Sequence, residues 1–113
     1  MDCLFCKIIA GEIPSKKAYE DDLVYAFHDI DPQAPVHILI IPKQHIKSVD
    51  EITAENSAVV AHIFEVAALL AKENNISADG YRVVTNIGDA GGQTVKHLHF
   101  HLMGGRNFTW PAG

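Results

Sequence analysis

Val95-Lys96-His97-Leu98-His99-Phe100-His101-Leu102-Met103 alternates imidazole with hydrocarbon. On a β-strand, successive side chains point to opposite faces. Leu98, Phe100 and Leu102 then share a packing face. His97, His99 and His101 share the other, with neighbours roughly 6.5–7 Å apart. A single strand histidine is ordinarily a hydrogen-bonded bystander, whereas three in strict alternation behind an apolar face read as chemistry. A three-histidine metal site is the rival, because imidazole is a common zinc ligand. Positions i and i+4 of a flat strand lie too far apart to bind one ion easily, so strand spacing suits two ligands rather than three.

Just upstream stands Gly91-Gly92-Gln93-Thr94. Two residues without Cβ let the backbone approach a ligand closely. Loop N–H groups and the Thr94 hydroxyl suit phosphate oxygens. Gly-Gly alone is common in turns. The signal is its position, with phosphate donors leading directly into a row of imidazoles.

The rest of the chain arranges itself around this segment. His37-Ile38-Leu39-Ile40-Ile41 reads as a central strand ended by Pro42. Residues 17–20 and 23–29 read as strands around a turn at Glu20-Asp21-Asp22, residues 81–87 as another, and residues 95–103 as the last. A helix is predicted over residues 53–74, with Thr53 as N-cap and a buried stripe of Val59, Ile63, Val66, Ala67 and Leu70. Residues 4–11 predict a short helix stopped by Gly11, and Pro14 breaks the chain before the first strand. The expected fold is α+β: one domain over residues 1–113, an antiparallel β-sheet with one long helix packed on one face and a short N-terminal helix.

Composition narrows the function. Of 113 residues, 48% are apolar and 20% charged, a globular balance. Lys+Arg minus Asp+Glu is 9 − 14 = −5, and no stretch is basic enough to track a phosphate backbone, which argues against nucleic-acid binding. The apolar runs at 36–41 and 63–71 are too short to span a bilayer. Met1-Asp2-Cys3 has neither a basic head nor a long apolar segment, so a soluble cytoplasmic protein without a signal peptide is expected. Two cysteines, as Cys3-x-x-Cys6, then read as thiols or metal ligands rather than a disulfide. Their spacing suits zinc, though the sequence nearby holds no second pair.

His97-Leu98-His99-Phe100-His101-Leu102-Met103 resembles the mark of the histidine-triad superfamily. More narrowly the chain is similar to the histidine-triad nucleotide-binding branch, the purine nucleoside phosphoramidases. The likeness extends over Leu4-Phe5-Cys6-Lys7-Ile8-Ile9, Glu12-Ile13-Pro14, Phe27-His28-Asp29-Ile30, Pro32-Gln33-Ala34-Pro35, His37, Ile41-Pro42-Lys43, His45-Ile46, Asn86, residues 91–105 and the ending Trp110-Pro111-Ala112-Gly113. It departs at Thr94, where Ser is usual, and at Ala112, where a second Pro is usual. Thr94 keeps the hydroxyl; Ala112 loosens the tail.

The resemblance implies hydrolysis of purine nucleoside 5′-phosphoramidates to nucleoside monophosphate and amine through a nucleotidyl-His99 intermediate. His101 would bind phosphate and protonate the departing amine, and His37 would relay or orient protons. Asn86, Gly92, Gln93 and Thr94 would hold the phosphate. Leu4, Phe5, Ile8, Phe27 and Ile30 would form the base pocket, with Asp29 on the ribose hydroxyls. Taken alone, those apolar residues read as plain core, Asp29 as a turn residue before Pro32, and His37 as a strand histidine.

Imidazole titrates near 6.5, so a neutral nitrogen is available at neutral pH, and activity is expected to fall below about pH 6. No cofactor is implied for catalysis: no Asp/Glu cluster and no Walker-type loop is present. The resemblance further implies a structural zinc on Cys3, Cys6, His45 and His97, with two inert thiols as the alternative. It also implies a homodimer in which Trp110 reaches the partner's site. Purine nucleotides are the expected ligands, and no membrane or nucleic-acid partner is expected. Two other functions compete. Dinucleoside polyphosphate hydrolysis is disfavoured by Gly104-Gly105-Arg106 and the Trp-Pro tail. A non-catalytic nucleotide-binding scaffold stays open. A nucleotidyl transferase would usually carry Gln at position 101.

Overall fold

The computed structural model describes residues 3–113. Met1 and Asp2, which enter the signal-peptide reading, lie outside the described residues. In chain order the elements are α1 (Leu4–Ile9), β1 (Lys17–Glu20), β2 (Val24–His28), β3 (Val36–Pro42), a 3-10 turn (Val49–Glu51), α2 (Ala58–Glu73), β4 (Tyr81–Val84) and β5 (Phe100–Gly104). The strands form an antiparallel sheet in the order β1-β2-β3-β5-β4. None of the described helices is long and apolar enough to cross a membrane.

The β-branched run of β3 takes the middle of the sheet, where both faces are covered. Its pleat sends Ile38 and Ile40 to one side, with Val24 and Ala26 of β2 and Phe100 and Leu102 of β5. There they meet the helical stripe Ile63, Val66 and Leu70 of α2, as the spacing predicted. The opposite side of the same strands carries Tyr25, Phe27, Leu39 and Ile41, which pack against Phe5 and Ile8 of α1. The imidazole face is thus partly covered by hydrocarbon of its own. Helix α2 is also tied to the β1–β2 turn, where His62 Nε2 lies 2.6 Å from Asp21 Oδ2.

Three boundaries differ by three residues or more from the sequence reading, each because a side chain captures backbone groups. The long helix starts at Ala58 after Ser57, not at Thr53. Asn56 Oδ1 accepts the Thr53 N–H and Thr53 Oγ1 accepts that of Glu55, which closes residues 53–57 into a separate turn. Strand β4 stops at Val84 rather than Ile87, and Thr85 instead donates its hydroxyl to the His99 carbonyl at 2.7 Å. The last strand starts at Phe100, not Val95. Ahead of it the Leu98 N–H goes to Ile46 O, and the His97 carbonyl is taken by the ring of His99. Facial alternation survives this break, since Leu98 joins Phe100 and Leu102 in the core beneath α2.

Gly104 is buried at the end of β5, where a Cβ would lie 2.6 Å from Ile76 Cδ1. Gly104→Ala is therefore expected to lower stability by about 1–3 kcal/mol through overpacking, measurable as an earlier urea midpoint. An unchanged midpoint would show that Ile76 gives way freely.

Candidate active site

Helix α1 is short and capped by a thiolate-capable side chain: Cys3 Sγ accepts the Cys6 N–H at 3.4 Å. Its residues Phe5 and Ile8 line a cleft of about 390 Å³. Phe5, Ile8, Phe27 and Leu39 line it with hydrocarbon, and Thr94, His99, His101 and Asp29 line it with polar groups. Leu4 and Ile30 also line it, but Ile30 is 99% exposed and so forms an open lip rather than a buried wall.

The hydrogen bonds assign a proton to each of three histidines in the cleft region, His99, His37 and His101. His99 is buried, and its Nδ1–H donates to the His97 carbonyl at 2.7 Å, leaving the lone pair on Nε2. Phe5 packs edge-on against that ring at 5.1 Å. His37 accepts the Gln33 N–H at Nδ1, 2.9 Å away, so its own proton sits on Nε2. That Nε2–H faces His101 Nδ1 at 2.9 Å, with Asp29 Oδ2 at 3.5 Å. His101 then accepts at Nδ1 and keeps its proton on Nε2. Asp29, His37 and His101 lie close enough together to resemble a metal-ligand set. The bond from Gln33 argues otherwise: with its proton on Nε2, His37 has no lone pair there for an ion. The group is a hydrogen-bonded chain from Gln33 through His37 to His101.

Burial favours the neutral ring in each case. Desolvation holds His37 and His99 below the ordinary imidazole value, opposed by Asp29. His101 is pushed down to about 4 by burial first and then by the neighbouring His99 and His37. The expected loss of activity below about pH 6 rests on an ordinary imidazole. In this site the protonation of His99 moves to lower pH.

The phosphate candidates divide. Thr94 lines the cleft. Gln93 is buried, and its amide is spent on structure: Nε2 donates to Lys47 O and Val95 O, and Oε1 accepts from Gly88 N–H. It stitches the loop together and does not line the cleft, and neither does the half-buried Asn86. Gly92 is exposed with φ +83°, a conformation that favours glycine, and at Gly91 a Cβ would collide with the Ile87 carbonyl. Sequence reading missed two positioning groups, the Gln33 N–H on His37 and the Thr85 hydroxyl on His99. A backbone donor leaves no trace in residue type, and Thr85 reads as an ordinary strand residue.

Behind the cleft Cys3, Cys6, His45 and His97 bring one donor atom each within 4.8 Å of one another. Cys3 Sγ is 3.3 Å from His97 Nδ1, Cys6 Sγ 3.4 Å from His45 Nδ1, and the two Nδ1 atoms 3.1 Å apart. Tetrahedral zinc, with Zn–S about 2.3 Å and Zn–N about 2.05 Å, spaces its ligand atoms about 3.3–3.8 Å apart. The His97 Nε2–H donates to Pro42 O at 2.9 Å, which turns the Nδ1 lone pair toward the thiols. The donor set and its orientation fit the metal. Burial, reinforced by Cys3, pushes the Cys6 thiol up to about 11, a cost that a bound cation offsets.

A sheet covered on one face by a long helix, with a row of imidazoles beneath a second, short helix on the other, defines a histidine-triad domain. Residues 10–108 match the HIT domain, and the chain belongs to that family. It is 50% identical to purine nucleoside phosphoramidase of Escherichia coli, over 93% of this chain and 88% of that one. It is 53% identical to an uncharacterised HIT-like protein of Synechococcus elongatus, over 99% and 97%. The crystal structure of a HIT family hydrolase from Legionella pneumophila superposes with a TM-score of 0.97 at 49% identity, over 99% of this chain and 100% of that one.

The depressed histidines carry a signed consequence for stability. Between their folded values and the unfolded value near 6.5, the unfolded chain binds more protons. The contribution of His37, His97, His99 and His101 is fully present above about pH 6.5 and is lost as pH falls through the folded values, about 4 for His101. His62 is raised by its bond to Asp21 and opposes this trend: its contribution is present below about pH 6.5 and is lost as pH rises through its raised value. Urea midpoints of chelator-treated protein are expected to drop between about pH 6.5 and 4.5, less steeply in His101→Asn. A flat profile would contradict the neutral, buried imidazoles.

Proposed function

We propose that the chain hydrolyses purine nucleoside 5′-phosphoramidates to nucleoside monophosphate and amine, with His99 as nucleophile. The observation that carries this reading is the His99 ring, its Nδ1–H held by the His97 carbonyl and its Nε2 lone pair left for a cleft with an apolar wall. Membership of the HIT family and half-identity to a purine nucleoside phosphoramidase support a hydrolase of this class.

The base lies against Phe5, Ile8 and Phe27, Asp29 takes the ribose diol, and Thr94 with loop N–H groups receives the phosphate. His99 Nε2 forms a bond to phosphorus as the P–N bond to the amine breaks. The ring becomes cationic, and its Nδ1–H bond to the His97 carbonyl strengthens as it does so. A departing amine needs a proton. Phosphate charge entering the cleft opposes the desolvation that depresses His101; the His37 Nε2–H shifts its bond to Asp29 Oδ2, 3.5 Å away, His101 takes up one proton on the Nδ1 so freed, and its Nε2–H passes to the leaving nitrogen. Water then attacks phosphorus, frees His99, and returns a proton to the pair.

Two further parts of the reading concern assembly. Cys3, Cys6, His45 and His97 would hold zinc as a structural cross-link. A C2 homodimer is supported by the outer edge of β4, which ends the sheet among the described residues, and by Phe64 and Leu69 exposed on α2. Trp110, 84% exposed, would reach the partner's cleft.

His99→Ala is expected to reduce AMP release from adenosine phosphoramidate by on the order of 10⁴-fold while AMP binding persists. Rapid quench of the wild type should show a nucleotidyl adduct on His99; an adduct on another side chain, or full activity in the variant, refutes the assignment. Metal analysis of the purified protein should give one zinc per chain, lost in Cys3→Ser. Wild type isolated without zinc would refute the metal site.

A further inference from the structure

We propose that Arg106 is a positioning residue for the proton relay, setting the tautomer of His37 through the loop at residues 31–35. The inference rests on the reading of His37 and His101 as the proton-transfer pair. His37 Nδ1 takes its hydrogen bond from the Gln33 backbone N–H at 2.9 Å. Gln33 lies on an exposed loop, and its own side chain reaches no further than Asp31 O. A donor on so open a loop must be held from outside, and Arg106 does this, its Nε–H donating to the Gln33 carbonyl at 2.9 Å.

Arg106 is itself held. Its guanidinium stacks over the Phe108 ring at 4.2 Å, and Arg82 of β4 stands 5.1 Å from the same ring while donating to Thr109 O. Gly105, with φ +91°, sits so close to Pro35 that a Cβ would come within 2.9 Å of the Pro35 Cβ. The segment after β5 thus clamps the loop at both Pro35 and Gln33. A continuous path runs from Arg106 to the Gln33 carbonyl, from the Gln33 N–H to His37 Nδ1, and from His37 Nε2–H to His101 Nδ1. Loss of the clamp frees the Gln33 N–H, allows the His37 proton to move to Nδ1, and leaves His101 facing a lone pair instead of a donor. Arg106 touches no reacting atom. It acts by keeping the relay in one protonation pattern.

The test reads the tautomer directly. Long-range ¹H–¹⁵N spectra of the histidine rings are compared in wild type, Arg106→Leu and Arg106→Lys, beside adenosine phosphoramidate kinetics and thermal unfolding. Wild type should show His37 as the Nε2–H form. Arg106→Leu should mix the two forms and lower kcat roughly tenfold, with KM changed less than about twofold. Arg106→Lys, which restores a donor, should recover the Nε2–H form in part. Folded Arg106→Leu with wild-type His37 signals overturns the proposal, whatever its activity. If Arg106→Leu fails to fold, Arg106→Lys with its added flexibility must still show some Nδ1–H form, or the proposal falls. Shifted His37 signals in a protein whose wild type releases no AMP would uphold the clamp and refute the phosphoramidase reading alone.

Discussion

The backbone carbonyl of His97 accepts the ring N–H of His99 at 2.7 Å, and this bond joins the three working parts of the molecule. On the side-chain end, His97 is anchored to Pro42 at the end of β3 and turns its remaining nitrogen to the cysteines that open α1. On the main-chain end it fixes which nitrogen of His99 is free. The same α1 supplies Phe5, which touches both rings at 5.9 and 5.1 Å. The thiol–imidazole cluster, cleft wall and His99 are therefore one packed unit. A shift of His97 would be felt in all three.

The bond has a cost, visible in the broken strand. The His97 carbonyl serves a side chain rather than the sheet ladder, and β5 begins only at Phe100. Residues 97–99 are held instead by Ile46 O, the Thr85 hydroxyl and the buried contacts of Leu98. Outside the ladder, His97 and His99 are still both 5% exposed or less. That depth keeps their rings neutral, because desolvation penalises the charged form. It also assigns unequal work to three residues with the same side chain. His97 faces the thiols, His99 offers a lone pair to the cleft, and His101 is bridged to His37 across β3 and β5.

Much of this was legible from residue order. The alternation at 97–102 separated packing from chemistry even where the ladder fails, because Leu98 still needs burial and finds it under α2. The stripe from Ile63 to Leu70 named the face of α2 correctly. Boundaries were poorly legible. Thr53 looks like a helix cap, yet its bonds with Asn56 and Glu55 close a turn instead, and residue type does not say which backbone groups a short polar side chain will capture. Gln93 has the chemistry to bind phosphate. Only the packed loop shows its amide already committed to three backbone groups.

The sequence by itself determined which imidazoles share a face, which hydrocarbon lies behind them, and that Cys3 and Cys6 have ligand spacing, whereas His45 and His97 joined that pair only through the family resemblance. The faces and the cysteine spacing come from periodicity and residue chemistry, which are local. Tertiary structure alone decided where each proton rests and how far each pKa moves. Both depend on how the chain is brought together, as with the Gln33 N–H on His37, four positions away, and the ring of His37 against His101, 64 positions away, and on how completely water is excluded. No local pattern encodes such distances, because they arise only when strands and loops from separate parts of the chain are packed together.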